Sequence, residues 1–122
     1  MALTFASVVV VNDVSNAAGA GVQTSAVQDL TDSYEKTARC RITNGATGPT
    51  VAGSVQIQIS EDTTAGNFIN FGPALAGSSS NADIASFVVS LPDTARQVRV
   101  LYGGNTGQAV TFRVVIDKIT GI

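Results

Sequence analysis

The sequence contains no histidine, a single cysteine and few charged residues. Without histidine the chain lacks the commonest general base and metal ligand, which excludes Ser-His-Asp and Cys-His catalytic arrangements. The single cysteine, Cys40, has no partner for an internal disulfide, and a zinc site needs several Cys or His ligands. The sequence therefore predicts a protein without catalytic residues, a metal site or a cofactor.

Charged residues make up 13% of the chain, roughly half of the usual share of about 25%. With a net charge of −2, the chain has no excess of positive charge with which to bind nucleic acid or an anionic membrane. Five arginines are candidate contacts for a polyanion, but nine acidic residues balance them. They are Arg39, Arg41, Arg96, Arg99 and Arg113. Because so little charge keeps copies apart, we expect self-association.

Long hydrophobic runs are also missing, since Val8–Val11 has the length of a strand and not of a bilayer span. The first residues, Met1–Thr4, lack the basic segment and apolar core of a signal peptide. No Asn-x-Ser/Thr sequon occurs. These features predict a protein that is folded in a reducing cytoplasm and is not secreted through a signal peptide.

Short alternating runs of apolar and polar residues dominate what is present. Val55, Ile57 and Ile59 alternate with polar residues, and Cys40 lies on the apolar side of another such run. The number of such runs predicts about seven to eight short strands, with turns about every 10 residues and hardly any helix. The prediction is a single all-β domain over residues 1–122, an antiparallel β-sandwich or jelly roll. Residues 22–36 fit either a strand or a turn of helix.

The clearest local signal is in the last quarter of the chain. Residues 97–102 and 109–116 are β-branched, alternating runs on either side of a glycine-rich loop, which is typical of a β-hairpin. In such a hairpin Val98 lies opposite Phe112 and Val100 opposite Val110. The residues expected to face the core are Val98, Val100, Val110, Phe112, Val114 and Ile116.

Apolar side chains on faces expected to be solvated are candidate contacts for assembly. The first strand, Leu3 to Val11, is apolar on both sides, and residues 1–20 are a candidate assembly arm or exchanged strand. The candidate contact residues are Leu3, Phe5, Val8, Val10, Leu101 and Val115. The five phenylalanines are expected in the core, whereas Tyr34 and Tyr102 are candidate ligand contacts.

Four stretches carry a resemblance that extends from Arg39 onward. They are RITNGATGPT (41–50), SVQIQISED (54–62), ARQVRV (95–100) and GNTGQAVT (104–111). The residue composition of these strands and the sequences of their loops resemble those of small β-sandwich structural proteins of tailed bacteriophages. Residues 1–35 add nothing to it.

This resemblance implies a non-enzymatic virion component, most often a head decoration or cement protein. Such a protein binds the major capsid protein and copies of itself, and stabilises the head without an active site. The alternative is a receptor- or glycan-binding module of a phage head fibre or tail. That alternative is favoured if Tyr34, Tyr102 and loop asparagines line one pocket.

Overall fold

The computed structural model describes residues 3–63 and 66–121, which form ten strands in two antiparallel sheets. Sheet A has four strands in the order β1 (Thr4–Asn16), β10 (Val110–Gly121), β4 (Lys36–Asn44) and β8 (Ile84–Leu91). The central strands of sheet B are β9 (Gln97–Gly103) and β5 (Ser54–Ser60). Short edge strands β2 (Val22–Thr24) and β3 (Gln28–Asp29) pair with β9, and β6 (Ile69–Asn70) and β7 (Leu75–Ala76) pair with β5.

The predicted all-β sandwich class is confirmed, with ten strands instead of seven or eight. The difference arises from the edge of sheet B, where strands of two or three residues are too short to show alternation. Residues 22–36 supply two of these strands and contain no helix. None of the residues that the structure describes forms a helix that could cross a membrane.

The core lies between the inner faces of the two sheets. Alternation places Val55, Ile57 and Ile59 of β5 inside, each less than 5% exposed. All six core residues predicted in the last quarter of the chain are buried, and Phe112 is fully buried. Burial of one such side chain stabilises the fold by about 1.5–3 kcal/mol, so the apolar inner faces hold the sheets together.

The predicted hairpin between β9 and β10 is wrong. In the structure β9 pairs with β5, and β10 pairs with β1 and β4, so the two strands belong to different sheets. Their apolar faces meet across the core, where the rings of Tyr102 and Phe112 have centroids 5.4 Å apart. Alternating strands have the same sequence pattern whether they pair side by side or face each other between sheets.

The glycine-rich loop of residues 104–109 therefore crosses from sheet B to sheet A. Gly103 and Gly104 have positive φ angles of 126° and 77°, and a Cβ at Gly103 would overlap the carbonyl oxygen of Gly21. The side chain of Asn105 is completely buried and fastens the loop to the end of β1. Its Nδ2 donates hydrogen bonds to the carbonyl oxygens of Asn16 (3.0 Å) and Gln108 (2.8 Å), while its Oδ1 accepts one from Asn16 Nδ2 (2.9 Å).

The expectation that all phenylalanines lie in the core is wrong for Phe5, which is 71% exposed on the outer face of β1. Phe68 is half-buried, and its ring lies under the guanidinium of Arg99 with the Arg99 Cζ 4.2 Å from the ring centroid. A strand position alone does not distinguish an inner from an outer face when both faces carry apolar residues.

Cys40 is buried, as the alternation predicted, and is 2% exposed. Burial raises the pKa of the Cys40 thiol to about 11, so the reactive thiolate is scarce at about pH 8. We expect a thiol reagent to leave the native protein unlabelled at this pH and to label it rapidly in concentrated guanidinium chloride. Equal labelling rates for native and denatured protein would contradict the buried position.

Candidate functional site

The outer face of sheet A carries a cluster of arginines. Arg39 and Arg41 are two residues apart on β4 and point to the same side, because side chains alternate along a strand. Arg113 of β10 lies directly opposite Arg41 in the register of the sheet. The face therefore collects three of the seven basic residues of a chain with a net charge of −2.

One carboxylate lies against two of these arginines. Asp13 Oδ1 is 3.1 Å from Arg41 Nη2, and Asp13 Oδ2 is 3.1 Å from Arg113 Nη1. Arg113 Nη1 also donates a hydrogen bond to Asn12 Oδ1 at 2.8 Å. Asp13 has a positive φ of 48° and lies where the pairing of β1 with β10 shifts register between Val11 and Val14. This bulge directs the acidic side chain over the arginine pair.

The third arginine has its own carboxylate. Arg39 Nε lies 2.5 Å from Asp117 Oδ2, and Arg39 Nη2 donates to Asp117 Oδ1 at 3.1 Å. Ser7 Oγ donates a further hydrogen bond to Asp117 Oδ1. The hydrogen bonds from Arg39 and then Ser7 lower the pKa of Asp117, and the bond to Asp117 raises the pKa of Arg39. All of these groups are solvent-exposed, so the ion pairs orient the guanidinium groups more than they stabilise the fold.

Between the arginines lies an open groove of about 210 Å³. Its apolar part is formed by Val115, which is buried, and by Val88 of β8, which is 72% exposed; Ser86 adds a hydroxyl group. This volume is below the roughly 300–1,000 Å³ of enclosed small-molecule pockets. The groove thus fits a short part of an extended ligand better than a whole enclosed one.

The other two arginines named from the sequence lie elsewhere. Arg99 is on the outer face of sheet B, where its Nε donates to Gln58 Oε1 at 2.8 Å, and Arg96 lies in the turn before β9. The spacing of Arg39 and Arg41 is visible in the sequence. The position of Arg113 beside them is not, because it depends on the pairing of β4 with β10, about 70 residues apart in the chain.

The candidate assembly contacts are divided among three surfaces. Leu3, which precedes β1, is 49% exposed, and Phe5 on the outer face of β1 is 71% exposed. Val8 and Val10 are half-buried, and Val10 packs against the core. Leu101 and Val115 lie on opposite outer faces of the sandwich, because β9 and β10 are in different sheets. The six candidate residues therefore do not form one continuous surface.

Tyr34 and Tyr102 do not share a pocket. The ring of Tyr102 packs against Phe112, whereas the Tyr34 N–H donates to the carbonyl of Ile119, seven positions further along β10. Seven residues of a strand span about 24 Å. The arrangement that would have favoured a tyrosine-lined ligand site is therefore absent.

Among the residues described, no three His, Cys, Asp or Glu side chains come together in a way that could hold a metal ion. The groove between Arg39, Arg41 and Arg113, the arginine groove, presents guanidinium donors and a small apolar surface.

No protein family and no curated protein matches the sequence. Among solved structures, the chain is similar to the K3 cleaved adhesin domain of Lys-gingipain from Porphyromonas gingivalis W83, at 14% identity and a TM-score of 0.59. That match covers 85% of this chain and 72% of that one. It is also similar to part of dimeric latent PorU from Porphyromonas gingivalis, at 11% identity and a TM-score of 0.59, over 99% of this chain and 13% of that one.

A weaker match, to a family 16 carbohydrate-binding module, has 15% identity and a TM-score of 0.48 over 88% of this chain and 74% of that one. At these identities the likeness concerns the fold. The chain is an all-β sandwich domain with an adhesin domain among its structural neighbours.

Proposed function

We propose that this chain is a non-catalytic binding module that recognises an acidic glycan through the arginine groove of sheet A. The observation that carries the proposal is the convergence of Arg39, Arg41 and Arg113 around one open groove. Guanidinium groups bind carboxylate and sulfate groups through paired, charge-assisted hydrogen bonds. The likeness of the fold to an adhesin domain supports a role in binding.

A glycan suits this groove better than a peptide. Strands β10 and β4, which carry the arginines, are paired on both sides, so neither offers a free edge for the main chain of a peptide. A ligand that contacts the three arginines is therefore held there by side chains and not by main-chain pairing with β4 or β10. Asp13 and Asp117 preserve the orientation of the guanidinium groups without neutralising all three of them.

The test compares an acidic with a neutral oligosaccharide, for example oligogalacturonate with an oligomer of galactose, by isothermal titration. We expect the double variant Arg41→Gln, Arg113→Gln to bind the acidic oligosaccharide at least about tenfold more weakly, because each charge-assisted contact contributes about 1.5–3 kcal/mol. Binding is also expected to weaken as the salt concentration rises.

Arg96→Gln is the control, because it removes one positive charge from a turn outside the groove. It should leave the affinity within about twofold of the unsubstituted protein. Equal affinity for the acidic and the neutral oligosaccharide, or an equal loss in the control, would refute the arginine site.

A second candidate is a capsid decoration protein that binds a major capsid protein in a virion. The observation that favours it is the exposed apolar edge of β1, with Phe5 71% and Leu3 49% exposed. Removal of residues 1–11 is a poor test, because Val11 is part of the core and its loss would disturb the fold. The double variant Leu3→Ser, Phe5→Ser is better, and unchanged sedimentation with capsids that lack the protein would exclude this contact.

A further inference from the structure

The edges of the two sheets differ in how well they are protected from pairing with another strand. At one edge of sheet A, the pairing of β1 with β10 has three register shifts, and β1 carries the charged residue Asp13. The edges of sheet B consist of strands of two or three residues. Bulges, charges and short strands are the usual devices that prevent edge-to-edge association.

The remaining edge, β8, has none of these devices. Its eight residues IASFVVSL contain no charge and no proline, and they pair with β4 without any register shift. Within the residues described, β8 pairs with no strand on its other side. Val88 and Ile84 are 72% and 58% exposed on its outer face. An uncharged, regular and unpaired strand of this length is a template for a further strand.

We propose that β8 pairs with β8 of a second copy of this chain across a two-fold axis at Val88. In this antiparallel register Val88 faces Val88 of the other copy, and Ser86 faces Ser90. On the inner side Phe87 faces Val89, and Ala85 faces Leu91.

From residue 85 to residue 91, apolar residues thus meet apolar residues and hydroxyl groups meet hydroxyl groups, so this part of β8 is complementary to itself. The new strand also covers Phe87 and Val89, which are only half-buried against the core. A second copy of this chain therefore supplies a strand that matches β8 in residue type at these positions.

The pairing joins two four-stranded sheets into one continuous sheet. It places the arginine grooves of both copies on the same face, because a two-fold axis perpendicular to a sheet preserves its faces. A contact through one strand pair lies at the small end of specific interfaces, so we expect a dimer with a Kd of about 10–100 µM. The dimer does not depend on the proposed glycan site and is measured without ligand.

The first test is a concentration series of the whole chain by analytical ultracentrifugation. We expect a monomer–dimer equilibrium, and Val88→Lys should weaken it by at least about tenfold, since two lysines would meet at the axis. Ile69→Lys is the matched control on the edge of sheet B, where Ile69 is 61% exposed, and should leave the dimer unchanged. A monomer at all concentrations, or a dimer insensitive to Val88→Lys, would overturn the proposal.

Cysteine cross-linking tests the register independently of stability. Residues opposite each other in an antiparallel pair have Cα atoms about 4.5–5.5 Å apart, within the range of a disulfide. Val88→Cys should therefore form a covalent dimer on mild oxidation. Ser86→Cys should not, because in this register the two copies of residue 86 are four positions out of line, or about 13 Å apart. Cross-linking of Ser86→Cys and not of Val88→Cys would overturn the proposed axis. Cys40 is buried and does not compete.

Discussion

Replacing Phe112 by alanine is expected to lower the free energy of unfolding by about 3–5 kcal/mol, the usual cost of removing a buried phenylalanine ring. Phe112 is the largest completely buried side chain of those described, and its ring contacts Tyr102 of the opposite sheet. Gly53 packs so closely that a Cβ at that position would lie 2.6 Å from Phe112 Cζ. The ring therefore fills the space between the sheets, and its loss leaves a cavity that tight packing prevents from closing.

Urea denaturation followed by circular dichroism measures this effect. Phe5→Ala is a matched control, because the same chemical change is made in the same sheet at a side chain that is 71% exposed. We expect the control to change the free energy of unfolding by less than about 0.5 kcal/mol. A similar loss in both variants would mean that the ring of Phe112 is not the packed centre of the sandwich.

The second large effect is expected at Asn105, whose substitution by alanine should lower the free energy of unfolding by about 3 kcal/mol. The substitution removes a fully buried amide that makes three hydrogen bonds to Asn16 and Gln108. Each buried polar group left without a partner costs about 1–3 kcal/mol. After Asn105→Ala, the carbonyl oxygens of Asn16 and Gln108 each lose the hydrogen bond that Asn105 Nδ2 donates. Asn16 Nδ2 retains its contact with the Gly21 carbonyl oxygen.

The control for Asn105 is Gln108→Ala in the same loop. Gln108 is exposed and takes part in the network through its main-chain carbonyl, which the substitution preserves. The midpoint of thermal unfolding of the Gln108→Ala variant should stay close to that of the unsubstituted protein. If Asn105→Ala unfolds at the same temperature as Gln108→Ala, the amide network does not hold the crossing between the two sheets.

Local pattern determined much of the architecture. The alternation of Val55, Ile57 and Ile59 predicts a half-buried strand, and the same rule places Cys40, Phe112 and other core residues correctly. This succeeds because a strand has a side-chain period of two, so the apolar set must lie on one face whichever neighbour the strand acquires. The all-β class could be predicted from the sequence for this reason.

The pairing of the strands was decided by the tertiary structure. The sequence of β9 and β10 is typical of a hairpin, yet the two strands face each other across the core. In both arrangements the apolar face is buried and the glycine-rich loop turns the chain, so the local pattern is the same. Only the competition for neighbours, in which β9 pairs with β5 and β10 with β1 and β4, distinguishes them.

The same limit applies to the candidate sites. Composition alone predicts the absence of histidine-based catalysis, because that chemistry requires a histidine and the sequence has none. The grouping of Arg113 with Arg39 and Arg41, and the unprotected edge at β8, arise from strand order. Strand order is set by long-range contacts that no short stretch of sequence encodes, because an edge strand and a central strand can carry the same alternation.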